Sequence, residues 1–274
     1  MDVFIRLIPI FTWFFIYLHP HDTTAQSIKT EKRIVNDTVH VDFINPHYAP
    51  IEFRFEVKNA YQNDFKVENS VVIPAQSTVS DVISYPSFYT NDSTKNVNHY
   101  INMKGNYGSP ATVMADKDHR YLLPYPKGKS YHIMQGNFGD FSHNLPHSRH
   151  AIDFELSVGD TITAARGGKV ILVKEDSKEH GPTRKFIDKG NKIIIMHSDG
   201  TFGHYVHLDF KGAFVEEGDK IEAGQPIGLS GFTGFTTKPH LHFVVMRERG
   251  LSIPIKYKGV RGHVPEEGTR YRRK

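Results

Sequence analysis

Two β-rich domains in tandem, an all-β chain, are what this sequence of 274 residues predicts. Three observations carry that expectation. Apolar and polar residues alternate in Val39-His40-Val41-Asp42-Phe43 and in Ile51-Glu52-Phe53-Arg54-Phe55-Glu56-Val57, the two-residue repeat of a half-buried strand. Glycine pairs and tight-turn signals such as Ser198-Asp199-Gly200 punctuate short β-branched runs through the C-terminal half. No stretch sustains a helical period.

Taken in order, the first residues carry one cation, Arg6, then the apolar run Leu7 to Leu18 and the small-residue exit Thr23-Thr24-Ala25. That pattern reads as a secretory signal peptide over residues 1–25, with an uncleaved membrane anchor as the alternative that Arg6 and Pro9 disfavour, and the run falls short of the roughly 18 apolar residues that a spanning helix needs. The mature chain is therefore expected to be exported, periplasmic or extracellular, with no transmembrane span. Cysteine is absent, which rules out disulfides, thiolate nucleophiles and Cys-ligated metal.

Residues 27–103 form the first domain, expected to be β-sandwich-like, with Val71-Val72-Ile73-Pro74-Ala75 and Val79-Ser80-Asp81-Val82-Ile83 as further strands. It holds no dense set of reactive groups, so a spacer, an inhibitory cover and a binding module all remain open for it. Residues 104–130 shift to Gly, Pro, Lys and Asp and are taken as linker and entry to the second domain, 131–274. The net charge of +4 is spread along the chain, with a basic cluster only at Thr269 to Lys274, and no nucleic-acid partner is expected.

The chemistry lies in the second domain. His240 and His242 stand two apart in a strand read from His240 to Met246, so both project from one face. With 17 histidines in the chain, such a pair alone is a weak signal. Asp153, between Ile152 and Phe154, is costly to hold in a half-buried strand unless it is paired or metal-bound. In Phe202-Gly203-His204-Tyr205-Val206-His207-Leu208, alternation places His207 on one face with Tyr205 and Gly203, and leaves His204 and His197 for the surface. Gly136-Asn137-Phe138-Gly139-Asp140-Phe141-Ser142-His143 is a glycine-punctuated loop ending in another histidine. The turns in Val215 to Gly228 would also suit a lipoyl or biotinyl carrier barrel, but the exposed lysine at a hairpin tip is missing.

The loop ending in Ser142-His143, then Ala151-Ile152-Asp153-Phe154, Tyr205-Val206-His207-Leu208 and Pro239-His240-Leu241-His242-Phe243 follow one another in the order seen in lysostaphin and LytM type zinc endopeptidases. The chain resembles that family, which cuts peptide bonds in bacterial peptidoglycan. The resemblance implies a LytM-type, barrel-sandwich-like peptidase domain, one zinc ion, and a peptidoglycan peptide as substrate. It implies His143, Asp153 and His242 as metal ligands and His207 and His240 as catalytic histidines, without dividing the roles of base and oxyanion partner between the two. The commonest family pattern has its first histidine four residues before the aspartate, and Arg149 stands there instead. Arginine cannot ligate zinc, so His143, His147 and His150 compete for the place. His143 is preferred for its loop, and His150 is disfavoured because an offset of three residues from Asp153 puts it on the opposite face of a strand. A catalytically inactive scaffold or activator of another wall hydrolase is the alternative; the presence of all four groups Asp153, His207, His240 and His242 weighs against it.

Overall fold

The computed structural model describes residues 28–91 and 95–274. The expected signal peptide lies outside them. Among the described residues, strands and short 3-10 turns make up all the regular structure, and no helix is long and apolar enough to cross a membrane. The chain divides after Ser109 into two compact units.

In the first unit, β1 (Lys29–Val35), β2 (Thr38–Asn45), β3 (Ile51–Val57), β4 (Lys66–Val67), β5 (Ser70–Ile73), β6 (Ser77–Pro86) and β7 (Ile101–Tyr107) form two sheets, ordered β1-β2-β6-β4 and β5-β3-β7. Their inner faces share one core, in which Phe43 of the first sheet meets Phe53 of the second edge to face at 5.2 Å. The alternation seen in the sequence is the alternation of burial: Val39, Val41 and Phe43 are inside, and His40 and Asp42 face outward.

The second unit is built on a large sheet. Its site-bearing strands are β8 (Ser130–Gln135), β9 (Ile152–Phe154), β10 (Gly168–Lys174), β11 (Asn191–Met196), β12 (Phe202–Ala213) and β13 (Leu241–Arg247), running across the sheet as β10-β11-β12-β13-β9-β8. One face packs the core: Ile152, Phe154, Ile193, Ile195, Tyr205, Leu241, Phe243 and Val245. The opposite face at β9 and β13 carries Asp153 and His242. Residues 104–130 divide between the two units: Ile101–Tyr107 completes a sheet of the first, while Tyr121, Leu123 and Tyr125 are buried in the core of the second. Their aromatic and leucine side chains outweigh the Gly and Pro around them. His197 is not at the surface: it is 2% exposed, with its ring edge-on to Tyr121 at 5.7 Å and Nδ1 donating to the Gly167 carbonyl at 2.9 Å.

That burial has a measurable consequence. With Nε2 left without a hydrogen-bond partner, burial pushes the His197 pKa down to about 4 from 6.5. The unfolded chain therefore binds the extra proton between those values and the native chain does not, so stability is complete above pH 6.5 and is lost as pH falls towards 4. The loss attributable to this residue is about 3 kcal/mol, at roughly 1.4 kcal/mol per pH unit. His197→Asn keeps a donor for Gly167 and cannot titrate, so urea midpoints between pH 7 and 4 should fall less steeply than in the wild type. Parallel slopes would count against a buried neutral His197.

Candidate metal centre

Strand register creates the first contact. Asp153 of β9 lies directly opposite His242 of β13, and directly opposed residues of an antiparallel pair share a face. Ile152 and Phe154 go to the core, so Asp153 is turned the other way by the pleat, and His242 Nδ1 meets Asp153 Oδ1 at 2.8 Å. His143 arrives from the loop after β8. Its Nδ1 donates to the Gly136 carbonyl at 2.8 Å, which fixes the tautomer and leaves the Nε2 lone pair facing inward. That Nε2 stands 3.3 Å from Asp153 Oδ1 and 3.3 Å from His242 Nδ1.

The three donors thus form a triangle with sides of 3.3, 3.3 and 2.8 Å. Donors bound tetrahedrally at zinc-like distances of about 2.0–2.1 Å stand about 3.3 Å from each other. The set fits one metal ion, and it is the group of this kind found among the described residues. His147 and His150 lie outside it. The His150 ring packs edge-on to Phe138 at 5.0 Å, away from the triangle, with its Nδ1 buried and unpartnered.

Two more imidazoles border the triangle. His240 lies one residue before β13, whose strand begins at Leu241, so the strand is shorter at this end than expected. Its Nδ1 donates to the Lys238 carbonyl at 2.8 Å, and its Nε2 is 3.7 Å from Asp153 Oδ2. His207 reaches the same place by an irregularity. Tyr205 pairs with Phe243 and Val206 with His242, so strict alternation would send residue 207 to the core with Tyr205. Instead His207 adopts φ 71°, and the pairing of β11 with β12 skips it, passing from Val206 to Leu208. This is a β-bulge that re-aims one side chain, and it corrects the expectation that His207 shares the face of Tyr205. The left-handed conformation costs about 1–2 kcal/mol, offset by hydrogen bonds on both sides of the residue. His207 Nδ1 donates to Thr233 O at 2.6 Å, and its own carbonyl accepts from Gly231 N at 2.9 Å. The His207 ring sits 4.5 Å from that of His240. Neither the bulge nor Thr233 was expected; the signal available was the doubled Gly-Phe-Thr pattern of Gly231 to Thr236.

The electrostatics suit a cation. Burial opposes a charge on Asp153, yet the imidazoles of His240, His143 and His242 that face it outweigh burial and hold the carboxyl well below its usual range. Burial pulls His143 down, but its hydrogen bond and proximity to Asp153 raise it on balance. His207 and His242 are lowered, by burial first. One carboxylate and neutral imidazoles are the protonation states in which these residues ligate. They open on a cleft of about 660 Å³, with Gln135, Asp140, Phe141, Phe235 and Lys238 among its walls.

Residues 147–254 match Peptidase family M23. An uncharacterized metalloprotease of Buchnera aphidicola is 26% identical over 208 residues, covering 74% of this chain and 50% of that protein. The peptidoglycan DD-endopeptidase ShyB of Vibrio cholerae is 32% identical over 128 residues, 44% of this chain and 27% of the relative. Lysostaphin of Staphylococcus simulans is 32% identical over 126 residues, 45% and 22% of the two chains. The chain spans half or less of the length of these relatives. The matched stretch holds Asp153, the His207 bulge and the His240–His242 pair in the order described above, and over residues 147–254 the second unit is similar to the lysostaphin and LytM type of peptidase, Peptidase family M23.

Proposed function

We propose that this protein is an exported, zinc-dependent endopeptidase that hydrolyses peptide cross-links or stem peptides of bacterial peptidoglycan. The observation that carries the reading is the triangle of His143, Asp153 and His242, bordered by two further imidazoles at the floor of an open cleft. Three protein donors suit a zinc ion with a free fourth position, which supplies a Lewis acid and makes water acidic near neutral pH.

The chain's own residues do the rest. His207 and His240 each have Nδ1 committed to a backbone carbonyl, so each offers Nε2 as a base. Between them they take the proton from the attacking water, face the developing oxyanion and return a proton to the leaving amine. The cleft walls align an extended peptide across these groups. The relatives named for action on peptidoglycan support the substrate class. Export rests on the N-terminal sequence pattern.

Metal analysis of the purified protein, together with mass analysis of fragments released from purified sacculi, tests the proposal. One zinc per chain and newly cleaved peptide bonds are expected, and the fragment masses name the bond. Metal without cleavage would favour the inactive scaffold, and absence of metal would sink the peptidase.

A further inference from the structure

Thr233 stands outside the metal triangle and outside the cleft walls, yet two other segments of the second unit converge on its hydroxyl. Asn191 N donates to Thr233 Oγ1 at 3.0 Å, and Oγ1 donates in turn to Leu208 O at 2.8 Å. The carbonyl of the same residue accepts from His207 Nδ1 at 2.6 Å. Thr233 is 3% exposed, so these bonds do not compete with water.

The flanking glycines bring the loop this close. A Cβ on Gly231 would lie 2.4 Å from the Asp209 backbone, and one on Gly234, at φ 85°, would lie 2.5 Å from Gly190 Cα. The loop is therefore seated directly on the bulged backbone of β12 and on the start of β11. Asn191 is itself tied down: its side chain donates to Ser177 O and Asp209 O and accepts from Ser177 N. The Thr233 carbonyl thus has a fixed position relative to a residue whose own backbone is irregular.

We propose that Thr233 is a positioning residue for His207. Its hydroxyl, clamped between Asn191 and Leu208, holds its carbonyl against His207 Nδ1, keeps the proton on that nitrogen, and presents Nε2 as the acceptor towards the cleft. A carbonyl can only accept, so this contact selects one of the two neutral tautomers. The catalytic consequence rests on the role given to His207 above; the tautomer itself does not.

The test uses the full-length, zinc-loaded protein with 15N-labelled histidine, His207 being assigned by comparison with His207→Gln. In the wild type, long-range 15N–1H spectra should report Nδ1 protonated and Nε2 unprotonated. Thr233→Ala should give averaged shifts of two tautomers, with kcat on sacculi down about 10–100-fold and both KM and zinc content unchanged. Thr233→Ser restores the hydroxyl and should match the wild type in tautomer and, within about threefold, in kcat. A wild-type His207 spectrum in Thr233→Ala overturns the proposal. So does a tenfold loss in Thr233→Ser, which keeps the test decisive if the alanine variant fails to fold. If the tautomer shifts as stated but the wild type cleaves no sacculi, the peptidase reading falls and the positioning role stands.

Discussion

His143→Ala will take bound zinc from one ion per chain to none detectable and lower cleavage of sacculi by at least about 1000-fold, whereas His150→Ala will leave the metal in place. The two histidines compete for the position that Arg149 leaves open, and the geometry separates them. His143 Nε2 completes a triangle with Asp153 and His242 at 3.3 Å to each, with the Gly136 carbonyl holding its other nitrogen. His150 packs against Phe138 instead. Removing His143 leaves two donors, Asp153 and His242, and two donors hold a divalent ion far more weakly than three. Bound zinc, measured after dialysis against a weak chelator, is the readout that does not depend on the substrate chosen. Full occupancy in His143→Ala would remove this residue from the site.

Sequence patterning reaches Asp153 and His242 for a simple reason. Each lies in a regular strand beside residues that must face the core, so the pleat alone turns its side chain towards the site. His207 is a different case. Its alternation points the wrong way, and only a positive φ at a non-glycine residue, supported by Thr233 and Gly231 from another segment, brings it round. No local pattern announces such a bulge, because its cause is a contact between residues far apart in the chain. The burial of His197 has the same origin: Tyr121 and Gly167, both distant in sequence, enclose it. In residues 104–130 the Gly- and Pro-rich composition reads as linker and entry to the second domain, and it is Tyr121, Leu123 and Tyr125 that anchor the segment in that domain's core.

The three imidazoles His143, His207 and His240 follow one rule: each donates Nδ1 to a main-chain carbonyl and turns Nε2 inward. Main-chain acceptors carry no net charge, so they orient the rings without adding negative charge beyond Asp153 and without raising the basicity of the rings as a second carboxylate would. His242 breaks the rule, presenting Nδ1 to Asp153. It is held by the strand itself, whose pairing with both β9 and β12 leaves its backbone no freedom.

His207→Ala separates catalysis from metal binding. His207 gives its Nδ1 to Thr233 O and not to a metal ligand, and its ring lies 6.1 Å from that of His242 between centroids. Zinc content in the variant should therefore equal that of the wild type, while kcat falls about 100- to 10,000-fold, the range for losing a positioned proton-transfer group, and KM changes little. His240→Ala should differ, because His240 Nε2 is 3.7 Å from Asp153 Oδ2, so its ring helps to hold the ligating carboxylate in place. Its loss should weaken metal affinity as well as turnover. Measuring zinc affinity and kcat for both variants on the same sacculi distinguishes the two histidines by role. Equal loss of metal in both, or wild-type turnover in His207→Ala, would show that the bulge at His207 serves the fold and not the reaction.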